Sequence, residues 1–457
     1  MIDAAERTLD LQYFIFRGDE TGRLLTDALL RAADRGVRVR VLVDDGDTVA
    51  GDEQLLALAA YPRVEIRVFN PFAYRGHHEL LRAAEFLFHH SRLDYRMHNK
   101  LLVADNSVAL IGGRNIGNQY FQLDPDSQFA DSDVFAAGPI AAQLSTTFDE
   151  YWNSRFAIPA EALTRANPGA AVASDRERAH ERPAQQLLPL QTDGVDYVKR
   201  IASGEPYAGI ISGRLPLVWA SAQVVCDSPD KKDVVSGMLP GRLMSQTVIR
   251  VAGTVQSELL MVTPYFVPTD RETELLKDLR RRNVRIRVIT NSLRSATDVA
   301  AQAGYVRSRV PLLKEGVELY EIRSYLGATR GSGQTTAVSS YGNYSLHAKL
   351  FVFDRQKLLI GSMNFDQRSR HLNTEVGLII DSSLLAQETA ARFDAMARLE
   401  NAYMPTLAAA NPNLPPRLVW RTEESGQVVE YSREPERSTW QGWQLKFFSL
   451  LPLDREL

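Results

Sequence analysis

The chain carries one polar constellation twice. Residues 96–117 read RMHNKLLVADNSVALIGGRNIG, and residues 345–366 read SLHAKLFVFDRQKLLIGSMNFD. His98, Lys100, Asp105 and Asn115 recur as His347, Lys349, Asp354 and Asn364, each 249 positions later. The surroundings recur as well. LQYFIF (11–16) reads as a strand. LLTDALLRAADRG (24–36) gathers Leu24, Leu25, Ala28, Leu29 and Ala32 on one helical face and stops at Gly36. VRVRVLVDD (37–45) is a second strand. The later half repeats the order in LLMVTPYFV, ETELLKDLRRRN and VRIRVITNS, with Val37 and Val284 lying 247 positions apart. Self-similarity on this scale means two copies of one domain. Alternating strands and helices make each copy a mixed β-sheet flanked by helices. The expected fold class is therefore α/β, two similar domains packed as a pseudo-two-fold pair. A length of 457 residues, too long for one ordinary core, agrees.

The expected organisation is a first domain over 1–160, a linker over 161–240, a second domain over 241–405, and a C-terminal hairpin with an apolar tail over 406–457. The linker is rich in Ala, Pro, Arg and Gln. Within it, LVWASAQVVCDSPDKK reads as a strand running into a loop. GATRGSGQTTAVSSYGNYS (327–345) is a long loop leading into the second motif, where function often resides. RLVWRTEESGQVVEYS reads as a hairpin turning near Ser425-Gly426. The first copy starts abruptly, whereas the second has a full helix before its first strand. An upstream helix, with an export signal or anchor, is therefore expected to precede residue 1.

Each motif folds locally into a hairpin. MHNKLLVAD is a strand, and residues two apart share a face, so His98 and Lys100 point together. DNS is a turn, VALIGG returns, and Gly112 and Gly113 allow close backbone approach beside Asn115. LHAKLFVF, Asp354, LLIGS and Asn364 repeat this, with Ser362 in the place of Gly113. Lys and Asn donate hydrogen bonds that suit phosphate oxygens and a five-coordinate phosphorus. Two imidazoles divide the labour: one, neutral, attacks phosphorus, and the other, protonated, gives its proton to the leaving oxygen. Each then needs a partner on its far ring nitrogen, and Asp133 in FADSDVFAAG and Glu375 in LNTEVGLII are the candidates. Asp105 and Asp354 sit at turns and read as supports of the motif.

The remaining features are read more plainly. His77, His78, His89 and His90 fit no common metal spacing, so no metal is expected. Asp44, Asp45 and Asp47 read as a solvated strand-end loop. No cofactor is called for. The net charge of −3, and the lack of a basic stretch interleaved with aromatics, argue against a nucleic-acid groove. No run of 18 or more apolar residues spans a membrane. PFAYRGHHELLRAAEFLFHHSRLDYR (71–96), a loop and a helix leading to the first motif, reads as a partly apolar flap near the pocket or the bilayer. Trp440, Trp443, Phe447 and Phe448 suit either a membrane interface or packing on the domains.

The pattern H-N-K-L-L-V-A-D…G-G-R-N and H-A-K-L-F-V-F-D…G-S-M-N resembles the doubled signature of the phospholipase D superfamily. Stretches such as GGRNIGNQYF, ITNSLRSATDVAAQAGYVRSRVPLLKEGVELYEIR and NFDQRSRHLNTEVGLIID resemble bacterial cardiolipin synthases of the C type. The resemblance implies two phospholipase D-like domains and a phosphatidyltransferase working through a phosphohistidine, with His98 the nucleophile and His347 the acid and base. It implies phospholipids as partners, with phosphatidylglycerol as acceptor and either a second phosphatidylglycerol or phosphatidylethanolamine as donor. It further implies peripheral contact with the bacterial inner membrane or its periplasmic face. A phospholipase D hydrolase, a nuclease or other phosphodiesterase, and a non-catalytic lipid-binding scaffold are the rival readings. Choice of acceptor and any accessory protein stay open.

Overall fold

The computed structural model describes residues 1–46, 58–75, 79–124, 127–163, 217–324, 343–408, 417–435 and 439–450, with 209, 212 and 214 singly. They form two compact units. The first comprises Met1–Ile111, Asn115–Asn118 and Phe135–Ser221, and the second Gly112–Arg114, Gln119–Val134 and Ala222–Leu457.

The first unit runs β1 (Thr8–Tyr13), α1 (Glu20–Asp34), β2 (Arg38–Asp44), β3 (Val64–Phe69), α2 (Glu79–Phe88), α3 (His90–Leu93), β4 (Lys100–Ala104) and β5 (Val108–Gly112). After β6 (Ser127–Ala130), which belongs to the second unit, come β7 (Asp133–Ala137), α4 (Pro139–Trp152) and β8 (Ala157–Pro159). The described strands order as β7-β5-β4-β1-β2-β3-β8. β1, β2 and β3 are parallel, and β4 returns antiparallel to β1. The helix ends follow local chemistry. The Asp19 side chain caps α1 by accepting from the Gly22 N–H, and Gly36 beyond its end takes a φ of 93°.

The second unit runs β9 (Ser221–Cys226), α5 (Lys231–Val235), α6 (Met244–Gly253), β10 (Glu258–Val262), α7 (Asp270–Arg281), β11 (Arg285–Asn291), α8 (Val299–Lys314) and β12 (Glu318–Ile322). It continues with β13 (Asn343–Leu346), β14 (Leu350–Phe353), β15 (Lys357–Gly361), α9 (Gln367–His371), β16 (Val376–Asp381), α10 (Ser383–Met396), β17 (Ala402–Ala408), β18 (Arg417–Glu424), β19 (Gln427–Tyr431) and α11 (Thr439–Leu450). Its main sheet orders as β19-β18-β17-β12-β11-β10-β14-β15-β16-β9.

The middle of this sheet copies the first unit to the residue. β10, β11 and β12 are parallel, and β14 is antiparallel to β10. Leu9 faces Ala104 in one sheet, and Leu259 faces Phe353 in the other. Asn283, with a φ of 63°, stands where Gly36 stood. Thr269 and Glu272 close a capping box on α7. Leu276 and Leu279 of α7 bury against Val284, Ile286 and Val288. Ser425 and Gly426, both at positive φ, turn the terminal hairpin.

One expectation is altered. Asp44 and Asp45 are not a solvated loop. Both are buried, Asp44 against Arg96 at 3.1 Å and Asp45 against Arg75. Arginines distant in sequence neutralise them, which lets strand-end carboxylates leave water. Phe448 packs with Leu293, Ala303 and Leu445, whereas Trp443 and Phe447 stay exposed. The long loop before the second motif lies outside the described residues up to residue 343, as do His77, His78, Asp47 and the side chain of Trp440. Among the described residues no helix is long and apolar enough to cross a membrane, and no cluster of His, Cys, Asp and Glu could hold a metal ion.

Candidate active site

In the first unit, His98 lies two residues ahead of β4 and Lys100 opens that strand. Both are buried. Lys100 Nζ donates to the His98 carbonyl oxygen at 2.5 Å and lies 5.2 Å over the Phe14 ring. The His98 ring meets Phe14 edge to face with centroids 5.1 Å apart. Asn115 is buried, and its Oδ1 accepts from the Ile15 N–H. The motif is aimed from below by Asp44 at the end of β2, whose Oδ2 accepts from the Met97 N–H at 2.8 Å. The second unit repeats this device with a neutral amide. Asn291 at the end of β11 accepts from the Leu346 N–H at 2.8 Å and donates to the Leu346 carbonyl. Each residue just before a histidine is thus gripped by the end of a parallel strand, a role the sequence reading missed.

Asp105 and Asp354 occupy the first positions of two hairpin turns, with Asn106 and Arg355 following, all at positive φ. Each carboxylate accepts from three successive backbone N–H groups: Asp105 from Glu6, Arg7 and Thr8, and Asp354 from Gln256, Ser257 and Glu258. They join the motif hairpin to the strand beside it.

The second unit holds the richer half-site. β6 pairs in parallel with β13, matching Ser345 to Phe129 and Leu346 to Ala130. The His347 N–H continues the pairing to the Ala130 carbonyl at 2.8 Å. That pairing delivers Asp131, whose Oδ2 lies 2.5 Å from His347 Nδ1. Phe129 stacks on the imidazole and Tyr120 meets it edge-on. Lys349 Nζ is 2.9 Å from the same Nδ1 and also donates to the His347 carbonyl. Burial works to raise the Asp131 carboxyl, but His347 and Lys349 beside it hold it below the usual range. Burial also lowers Lys349 to about 8, against the pull of the Asp131, Glu375, Asp366 and Asp133 carboxylates. Asp131 and Lys349 thus both engage Nδ1 of the ring.

Asp133 is therefore corrected as a candidate imidazole partner. Its carboxylate pairs with Arg114 at 2.9 Å and accepts from the Arg114 N–H. Burial raises it to about 6 against that arginine. The physical reason is register. Asp131 and Asp133 are two apart in an extended segment, so alternation alone does not choose between them. The Gly113 N–H donates to the Ser132 carbonyl, and the Ser362 N–H at the matched position donates to the Val376 carbonyl. Ser132 thus corresponds to Val376, and Asp131 to Glu375. A Cβ on Gly113 would come within 2.3 Å of the Asp131 carboxylate, so a side chain there would displace that carboxylate. In the second copy Ser362 takes that place and its Oγ donates to Glu375, both being fully buried. Asn364 is buried too, and among the described residues its Oδ1 has no hydrogen-bond partner.

This arrangement agrees with the comparisons. The family model for the cardiolipin synthase, phospholipase D-like domain matches residues 1–152 and 248–397, one match for each copy of the motif. Cardiolipin synthase C of Escherichia coli is 36% identical over 461 residues, covering 99% of this chain and 92% of that protein. An uncharacterised Helicobacter pylori protein is 26% identical, covering 100% of this chain and 86% of its own. The crystal structure of phosphatidylserine synthase from Haemophilus influenzae superposes with a TM-score of 0.58 at 13% identity, over 100% of this chain and 91% of that one, and so shares the fold. The doubled domain, its doubled motif and a relative similar along nearly the whole length lead to one conclusion: the chain belongs to the cardiolipin synthase family of phospholipase D-like proteins.

Proposed function

We propose that this chain is a phosphatidyltransferase that makes cardiolipin. His98 attacks the phosphorus of a phosphatidylglycerol donor. A P–N bond forms and the P–O bond to the headgroup glycerol breaks, while His347 gives its Nε2 proton to that oxygen. His347, now neutral, takes the hydroxyl proton of a second phosphatidylglycerol. The freed oxygen attacks phosphorus, the P–N bond breaks, and cardiolipin leaves. With phosphatidylethanolamine as donor, ethanolamine departs instead. Lys100, Lys349, Asn115 and Asn364 stabilise the charge on the phosphoryl oxygens. Glu375, the counterpart of Asp131, is the second carboxylate assigned to support an imidazole. The observation that carries this reading is the Asp131 carboxylate 2.5 Å from His347 Nδ1, an opposite charge that favours the protonated imidazole.

Peripheral membrane contact is part of the proposal, and α2 supports it. Two of its charged residues turn inward: the Glu85 carboxylate accepts from the Ala73 and Tyr74 N–H groups, and Arg82 covers the Phe72 ring at 4.2 Å. Its apolar residues turn outward, with Leu80, Leu81, Leu87 and Phe88 being 86, 51, 76 and 85% exposed. A helix apolar on its outer face suits the interface of a phospholipid bilayer.

The test is mass spectrometry of lipids after incubation with vesicles of phosphatidylglycerol and phosphatidylethanolamine. Cardiolipin is the expected product, and His98→Ala and His347→Ala each abolish it while the fold survives. Phosphatidic acid alone would make the protein a hydrolase. Substantial turnover in either variant would overturn the two-histidine mechanism.

A further inference from the structure

Outside both motif copies, where the linker enters the second unit, Asp227 and Lys231 form a fully buried ion pair at 2.7 Å. Its hydrogen bonds reach Glu375, Ser369 and Asn373 of one loop and Met244 at the start of α6. The Asp227 N–H donates to the Glu375 carbonyl at 3.0 Å, and the Glu375 N–H donates to Asp227 Oδ2 at 2.9 Å. Asp227 Oδ1 accepts from the Met244 N–H at the start of α6. Lys231 Nζ donates to the Ser369 and Asn373 carbonyls, each at 2.6 Å. The loop thus tied runs from Asn364 to Glu375, with a proposed site residue at each end.

The first copy holds its equivalent loop differently. There Arg114 binds the Asp131 carbonyl and the Asp133 carboxylate. The matching position in the second copy is Met363, an apolar residue buried in the core. An arginine's work has no side chain to do it there, and a lysine–aspartate pair from another segment stands in.

We infer that Asp227 and Lys231 are positioning residues for catalysis, fixing the backbone of Glu375 and the loop back to Asn364. The inference rests on the reading of Glu375 as the carboxylate of one imidazole. The pair touches no reacting atom. It acts by holding Glu375 where its carboxylate, buttressed by Ser362, meets its partner in the right orientation. Losing that anchorage shifts a charged group by a fraction of an ångström to an ångström, and shifts of that size cost up to about 10²-fold in rate.

The experiment uses Lys231→Met, the charge-free double variant Asp227→Asn/Lys231→Met, and Lys232→Met as a control beside them. Phosphatidyl transfer on phosphatidylglycerol vesicles is measured per folded molecule, with melting temperature, kcat, KM and the pH profile. Lys231→Met leaves a buried charge unpaired and is expected to melt early. The double variant removes both charges and is expected to recover melting temperature but not rate. Its kcat falls about 10²-fold with KM within about twofold. The acid limb of its pH profile moves to lower pH, because an imidazole that loses a carboxylate partner binds its proton less tightly. A folded double variant with the wild-type kcat and pH profile would overturn the inference and leave the pair a structural one. If His98→Ala and His347→Ala also retained turnover, the reading of the site would fail instead, so the two failures are separable.

Discussion

Replacing Asp131 by asparagine tests the second half-site at its most exposed assumption. Asp131 Oδ2 lies 2.5 Å from His347 Nδ1, and both groups are buried. With the two charge centres about 4 Å apart and an effective dielectric near 20, the attraction is about 4 kcal/mol. An asparagine amide keeps a neutral hydrogen bond worth about 1 kcal/mol. About 3 kcal/mol is therefore lost from the state in which His347 holds a proton. That corresponds to about 10²-fold in a step needing the imidazolium. The assay is transfer from phosphatidylglycerol vesicles across pH 5 to 9. Asp131→Asn is expected to lower kcat about 10²-fold and to move the alkaline limb to lower pH. Asp133→Asn, whose carboxylate meets Arg114 instead, is expected to stay within about fivefold of wild type. Near-normal turnover in Asp131→Asn together with collapse in Asp133→Asn would refute the register argument.

The buried Lys349 makes a second test. Its proton affinity is lowered to about 8 from the free value of 10.5. Below pH 8 both folded and unfolded chains carry the charge, and the fold bears the full penalty of burying it. Between 8 and 10.5 the folded chain sheds the proton first, so the penalty fades as pH rises. Wild type should therefore gain about 3 kcal/mol on a Lys349→Met variant across that window, and a flat difference in denaturant melts would contradict the assignment. Asp105→Asn and Asp354→Asn should each lose about 1–2 kcal/mol of stability through weakened backbone anchorage. Their kcat per folded molecule should hold, and a tenfold fall would place them in the chemistry instead. Leu87→Glu with Phe88→Glu should weaken sedimentation with phospholipid vesicles at least about tenfold while leaving the melting temperature unchanged. Unaltered vesicle binding would remove α2 from the membrane surface.

What the sequence made legible was local or repeated. The helix of α1, the strand of β2 and the two hairpins declare themselves within a dozen residues, and the 249-residue offset then doubles each signal. His98, Lys100, His347 and Lys349 could be found because strand alternation puts each pair on one face. Asp131 was hidden for the opposite reason. Its partner is 216 positions away, through a β6–β13 pairing that leaves no mark on local pattern, and Asp133 offers the same residue type two places on. The burial of Asp44 and Asp45 depends on Arg96 and Arg75, distant in sequence, so the aspartates alone look like a wet loop. Asp227 and Lys231 lie in a stretch whose composition reads as linker, and only the folded loop shows what they hold.

The β6–β13 pairing also bears on how such a chain can be divided. After duplication, each copy of the gene would be expected to encode a self-sufficient half. Here the carboxylate on His347 is encoded in the first half, on a strand that folds with the second. A break in the linker would leave each fragment with a histidine and a lysine, but would strand Asp131 on a different polypeptide from the imidazole it serves. The later half has become dependent on a segment encoded in the earlier one, and fission, permutation or domain shuffling at that boundary would have to carry the segment from Gln119 to Val134 along with the later half.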